Sequence, residues 1–138
     1  MDELYGAALK AADSAYAPYS GFRVGAALLS EDGEVYTGCN VENRSYGLTI
    51  CAERGAVMKA VSCGSRSFIA LAIATPCSDY PVGPCGACRQ VLSEFMESGA
   101  PVRFAGSGGD TVNTTIGELY PFDSLHELNH NLSQSQLL

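Results

Sequence analysis

Residues Phe68–Ala74 read Phe-Ile-Ala-Leu-Ala-Ile-Ala, seven apolar residues in succession. A strand with one wet face alternates polar and apolar residues. An unbroken apolar run therefore predicts a strand buried on both faces, central in a sheet that helices cover above and below. Helical patterns stand on either side of it. Ala56, Val57, Ala60 and Val61 share one side of a segment that starts at Ile50, with Thr49 as its N-cap and Gly64 as its stop. Val91, Leu92 and Phe95 form a similar stripe on a segment opening at Pro84, where proline suits a helix start, and Gly99 and Pro101 close it.

The flanking chain completes a layered pattern. Residues 2–17 carry Leu4, Ala7, Ala8, Ala11, Ala12 and Ala15 at spacings of three and four, which predicts an amphipathic helix ended by Pro18 and Gly21. Residues 23–29 and 34–39 read as two strands of a hairpin around Glu31-Asp32-Gly33. Residues 40–49 are polar and without sustained period, as expected of a functional loop. A fourth strand at 102–105, a glycine turn at 106–110, a fifth strand at 111–115 and a helical turn at 116–120 follow. The expected fold class is α/β, a three-layer α/β/α domain spanning 1–138 around a mixed five-stranded sheet. Residues 123–138, polar and rich in Asn, Gln and Ser, read as a tail frayed or draped over the surface.

Fifteen acidic residues against eight basic ones give a net charge of −7, and no run of Lys or Arg offers phosphates a track. Nucleic acid is not an expected partner, and neither is a membrane. Asp2, Glu3, Lys10 and Asp13 interrupt the N-terminal segment, so it resembles neither a signal peptide nor a span. A cytoplasmic location is expected. In that reducing setting the six cysteines read as metal ligands or buried thiols rather than as three disulfides.

Cys85 and Cys88, three apart at a helix start, lie on one face where two thiolates can share an ion, and Cys51 opens the other helix as a third ligand. Three protein ligands leave the fourth position of a tetrahedral metal open, as in catalytic sites. The helix N-termini favour thiolate over thiol. Glu53, two residues from Cys51, is placed for general acid/base work beside that opening. Arg54 and Arg89 are candidates to donate hydrogen bonds to thiolate sulfur, or else form surface ion pairs. Other readings stand beside these. Cys-x-x-Cys alone also describes a redox pair, Cys77 could close the site as a fourth ligand, and Cys39 and Cys63 read as small buried hydrophobes or incidental thiols. His126-Glu127-Leu128-Asn129-His130 spells a zinc protease motif but lacks a third ligand and an apolar stripe.

Cys51-x-Glu53 followed by Pro84-Cys85-x-x-Cys88, with a single strand between, resembles the zinc deaminase signature with Cys51 in its histidine slot. The likeness extends to Tyr16-Ala17-Pro18-Tyr19-Ser20, Phe22-Arg23-Val24-Gly25-Ala26-Ala27-Leu28, Gly38-Cys39-Asn40-Val41-Glu42-Asn43 and Arg89-Gln90-Val91. Over most of its length the chain resembles the small homotetrameric cytidine deaminases. That resemblance implies one Zn2+ per subunit on Cys51, Cys85 and Cys88, and hydrolytic deamination of cytidine and 2′-deoxycytidine to uridine and 2′-deoxyuridine with loss of ammonia. It implies that Glu53 carries a proton to N3 and then to the departing amine. It places Asn40 and Glu42 on the ribose hydroxyls and Phe22 and Ala52 against the nucleoside. Tyr46 and Phe122 would come from neighbouring subunits. On the residues alone, Asn40 and Glu42 also read as turn residues, and Phe22 and Phe122 as core. Arg44, Gly55 and Gly83 stand where the family commonly has a small residue, threonine, and serine or threonine. The alternative substrate class is another aminopyrimidine nucleoside, such as a modified cytidine or a blasticidin-type antibiotic.

Overall fold

The computed structural model describes residues 1–125 and Leu128. The elements run α1 (Asp2–Ala12), β1 (Gly25–Ser30), β2 (Val35–Cys39), a 3-10 turn (Tyr46–Leu48), α2 (Ala52–Ser62), β3 (Phe68–Ala74), α3 (Gly86–Phe95), β4 (Pro101–Ala105), β5 (Thr111–Thr115) and α4 (Ile116–Leu119). The sheet order is β2-β1-β3-β4-β5. β3 pairs antiparallel with β1 and parallel with β4, and β5 returns antiparallel to β4. The sheet is mixed and five-stranded, with the apolar run at its centre, as the sequence predicts.

The two faces differ in the size of what they bury. α1 covers a surface of alanines: Ala8 packs with Ala27, Ala70, Ala72 and Ala74, helped by Leu4. Such small side chains let helix and sheet backbones approach closely. A Cβ on Gly25 would stand 1.9 Å from the Ala8 carbonyl oxygen, so glycine is obligatory at this crossing. On the opposite face Leu28, Leu71, Ile73, Leu92, Val102 and Phe104 pack against α2 and α3. Truncating Leu71 or Ile73 to alanine there should cost about 2–5 kcal/mol. A register shift between Leu29 and Ser30 pairs Ser30 with Phe68, and Phe68 joins the large-residue face.

Three boundaries depart from expectation. α1 ends at Ala12 rather than Ala17, finishing in i→i+3 bonds from Asp13, Ser14 and Ala15. The chain then leaves the helix because Tyr16 is claimed elsewhere: its N–H donates to the Asn40 carbonyl at 3.0 Å, and its carbonyl accepts from Glu42 N–H at 2.8 Å. α2 begins at Ala52 with Cys51, not Thr49, at its N-cap; Thr49 instead ends the preceding 3-10 turn. α3 begins at Gly86 behind Cys85, which leaves Pro84 just outside the helix. The stop at Gly64 holds: Ser65 N–H reaches Ala60 O and Gly64 N–H reaches Val61 O, while Gly64 takes φ 90°, the left-handed closure glycine permits.

Among the described residues no helix is long and apolar enough to cross a membrane. All six cysteines are free thiols. The His126–His130 motif, apart from Leu128, and the tail beyond it lie outside the described residues.

Candidate active site

Two helix starts meet on the large-residue face. Gly38 on β2 makes the meeting possible, since a Cβ there would fall 2.4 Å from both Ala52 O and Ala56 N. This close crossing seats the first turn of α2, with Cys51 at the N-cap and Glu53 one residue into the helix. α3 brings Cys85 at its own N-cap and Cys88 in its first turn. Neither cysteine cap makes a side-chain capping bond, so both sulfurs are free to face each other. Cys51 Sγ lies 3.9 Å from Cys85 Sγ, which lies 3.5 Å from Cys88 Sγ. All three sulfurs fall within 4.8 Å of one another. Tetrahedral zinc with Zn–S bonds near 2.3 Å separates its sulfurs by about 3.8 Å, so the trio fits one such ion.

The electrostatics agree with that fit. Arg54 Nη2 donates to Cys51 Sγ at 3.3 Å, while its Nε is buried without a hydrogen-bond partner. A guanidinium turned into three neutral thiols would be poorly matched; thiolates gathered round a cation give it acceptors. The hydrogen bond from Cys88, with Arg54 adding to it against the effect of burial, brings the Cys51 thiol down to about 5. Donating that bond, together with burial, pushes Cys88 upward. Cys51 also sits at a helix N-terminus, where the partial positive charge favours thiolate.

Glu53 is only 4% exposed. Burial, and then the charge on Cys51, hold its carboxyl above the usual carboxylate range. It lines a cavity whose wall is formed partly by Cys51, Ala52, Thr49 and Ile73 and partly by the chain of Ser20, Phe22, Val24, Asn40 and Glu42. Val41 bridges to Tyr16 and to Ile50, which fixes the second wall beside the start of α2. Asn40 and Glu42 flank Val41, and in extended chain residues two apart point the same way. Asn40, buried, accepts from Val24 N–H at 2.9 Å and donates Nδ2–H to Phe22 O at 2.7 Å. Glu42 accepts from the N–H groups of Tyr19 and Ser20 at 3.0 and 3.1 Å and from the Ser20 hydroxyl, bonds that lower its pKa. Both residues thus do serve as turn anchors, and both also face the cavity.

Tyr46 and Phe122 do not line this cavity. Tyr46 is 75% exposed and meets Tyr19 edge-on, while Phe122 is 100% exposed. Phe122 is therefore no core residue. Arg89 does not reach sulfur: its Nε donates to Pro84 O and its Nη1 to Leu119 O, both at 2.8 Å. Cys77 stands apart from the trio with its Sγ 3.5 Å from Gly21 O, so it supplies no fourth ligand. Ser20, which holds Glu42 and lines the cavity, is not among the expected site residues; it closes the Tyr16-Ala17-Pro18-Tyr19-Ser20 stretch that carries the family likeness, but on residue type alone a serine after Pro-Tyr reads as any turn residue.

Residues 1–101, which contain all three thiols and Glu53, match the family model described as the cytidine and deoxycytidylate deaminase zinc-binding region. A cytidine deaminase of Sporosarcina psychrophila is 51% identical over 121 residues, 88% of each chain. A blasticidin-S deaminase of Bacillus cereus is 36% identical over 107 residues, 71% of this chain and 74% of its own. The crystal structure of cytidine deaminase from Burkholderia pseudomallei superposes with a TM-score of 0.83 at 46% identity, covering 88% of this chain and 96% of that one. The described mixed sheet, the thiol trio and the match over residues 1–101 agree, and the chain belongs to the zinc-binding cytidine and deoxycytidylate deaminase family.

Proposed function

We propose that the protein hydrolyses cytidine and 2′-deoxycytidine to uridine and 2′-deoxyuridine with release of ammonia, as a step of pyrimidine salvage in the cytoplasm. Residues 1–138 act as one catalytic unit within a homotetramer. The observation that carries this reading is the single cavity lined together by Glu53, Cys51, Asn40, Glu42 and Phe22.

Cys51, Cys85 and Cys88 would hold the zinc, and the chemistry it would supply there is that of a Lewis acid that makes water nucleophilic at neutral pH. Three thiolates leave that centre at a net −1, and the Arg54 hydrogen bond to Cys51 offsets part of it. Glu53 carries the proton. Its buried side chain, as carboxylate, takes one proton from water and delivers it to N3 as the C4–O bond forms; it then takes the remaining proton from that oxygen and delivers it to the amine, so the C4–N bond breaks, the C4 carbonyl forms and ammonia leaves. Ala52 lies against the nucleoside, and Phe22 packs on it from the other wall. Asn40 and Glu42 bind the ribose hydroxyls, using acceptor and donor capacity left over from their backbone bonds. Tyr46 and Phe122, exposed on their own chain, complete the site of a neighbouring copy.

The direct test follows the ultraviolet change as zinc-loaded protein converts cytidine to uridine, with blasticidin S as the parallel substrate. Turnover of cytidine is expected. A folded, zinc-loaded protein that leaves cytidine untouched but deaminates blasticidin S would overturn the substrate assignment. Light scattering tests the assembly, because an active monomer excludes sites completed by a second chain.

A further inference from the structure

The chain after α4 is fastened to the start of α3 by side chains that touch neither sulfur nor cavity. α4 starts on the loop before β4, with Ile116 N–H on Ala100 O and Gly117 N–H on Ser98 O, and Thr115 Oγ1 caps it through Glu118 N–H at 3.2 Å. Its far end is held from α3. Arg89 spans Pro84 O, next to the Cys85 ligand position, and Leu119 O, the last residue of α4. One residue further along each stretch, just past the end of α4, the Tyr120 hydroxyl donates to Gln90 Oε1. Gly83 keeps space for this arrangement, because a Cβ there would come within 3.2 Å of Phe104 Cζ and 3.5 Å of Arg89 Nη2.

Beyond Tyr120 little freedom remains. Pro121 has a fixed φ, and Phe122 follows at φ 55°, a left-handed backbone that a bulky side chain rarely adopts, with its ring wholly outside its own chain. Such a pose persists only where the surroundings over-determine it. We propose that Arg89, Gln90 and Tyr120 are positioning residues that brace residues 120–122 against α3 and so present Phe122, in a fixed pose, to the nucleoside site of a second copy of this chain. The inference rests on the reading that Phe122 completes a neighbouring site. It adds the device that aims the ring, and it gives Arg89 and Gln90, which follow Cys88 directly, a task away from the metal.

The test is a double-mutant cycle in the zinc-loaded assembly. Tyr120→Phe removes one hydroxyl and leaves the ring. It should raise KM for cytidine about fivefold, the worth of one ordinary hydrogen bond, with kcat and zinc content unchanged. Phe122→Ala should raise KM about tenfold. If Tyr120 acts through Phe122, adding Tyr120→Phe to Phe122→Ala changes KM no further. Arg89→Lys, which keeps the charge but cannot span both carbonyls, should behave like Tyr120→Phe. Independent effects in the double mutant, or an unaltered KM in Tyr120→Phe beside a raised one in Phe122→Ala, would overturn the brace while leaving the shared site intact. An unaltered KM in Phe122→Ala would remove the shared-site reading itself, and the brace with it.

Discussion

The two walls of the cavity are assembled by different means. Cys51 and Glu53, which line it, and Cys85 and Cys88 behind them all stand at the starts of α2 and α3, where helix geometry sets their spacing, and a glycine crossing at Gly38 sets the depth of α2. Phe22, Asn40 and Glu42 stand on irregular chain, held by side chains that bond backbone: Asn40 to Phe22 and Val24, Glu42 to Tyr19 and Ser20. One wall is therefore rigid through its secondary structure. The other is rigid only while the residues proposed to bind the nucleoside also act as anchors. Damage should separate accordingly, with losses of chemistry on the thiol side uncoupled from the fold except at the metal, and losses of binding on the loop side coupled to stability.

Removing a metal ligand should have the largest effect. Cys85→Ala leaves two thiols to hold the zinc, and because metal binding feeds directly into folding free energy, bound zinc, activity and thermal stability should fall together. Metal analysis and a melting curve on one sample check this. A folded variant with full zinc would break the ligand assignment. Chelation of the wild-type protein should reproduce the loss, with recovery on adding zinc back.

Glu53→Gln should come next and should look different. The side chain keeps its shape but no longer carries a proton, so zinc stays and deamination falls at least about a hundredfold, the ordinary contribution of one general acid/base. Stability should not fall with it. Burial holds the folded pKa of Glu53 above its unfolded value, so at neutral pH ionisation favours the unfolded chain, and this penalty grows as pH rises above about 4.5. Removing the charge relieves it. Glu53→Gln with wild-type turnover would take Glu53 out of proton transfer.

Asn40→Ala tests the loop wall. It leaves Val24 N–H and Phe22 C=O without their partner in a largely buried place, at a cost of about 1–3 kcal/mol, and it displaces Phe22 from the cavity. KM should rise while the melting temperature falls, the joint signature that Glu53→Gln lacks. A raised KM at unchanged stability would mean that the clamp is dispensable and that Asn40 serves the nucleoside alone.

The same division explains what could be read from the sequence. The thiol wall was legible because i, i+3 spacing at a helix start is a local rule, and the apolar Phe68–Ala74 run located the central strand for the same reason. Local rules failed where distant chain intervened. α1 carries helical spacing to Ala15, yet Tyr16 pairs with Val41 and the helix ends at Ala12. Thr49 has the better capping chemistry, but Cys51 takes the N-cap because its position is fixed by the tertiary meeting of two helices and not by a capping bond. Arg89 lies next to a ligand in sequence, and only the placement of α4 shows that it points away from sulfur.

Gly55 offers the smallest and most local comparison within the rigid wall. A glycine inside a helix costs about 0.5–1 kcal/mol relative to alanine. At Gly38, on the opposite side of the same crossing, that freedom from a side chain is indispensable, since a Cβ would be driven to 2.4 Å from two α2 backbone atoms. At Gly55 it is not: a Cβ would meet Cys39 O at 3.5 Å, an ordinary contact. Gly55→Ala should therefore stabilise the protein by about 0.5–1 kcal/mol and raise Tm by about 2–4 °C, with kcat and KM unchanged. Gly38→Ala should instead push back the first turn of α2 and carry Cys51 and Glu53 out of register with α3. If Gly55→Ala also lowered activity, the crossing would be tight on both of its sides, and the thiol wall would depend on the fit of α2 to β2 as strictly as the loop wall depends on Asn40.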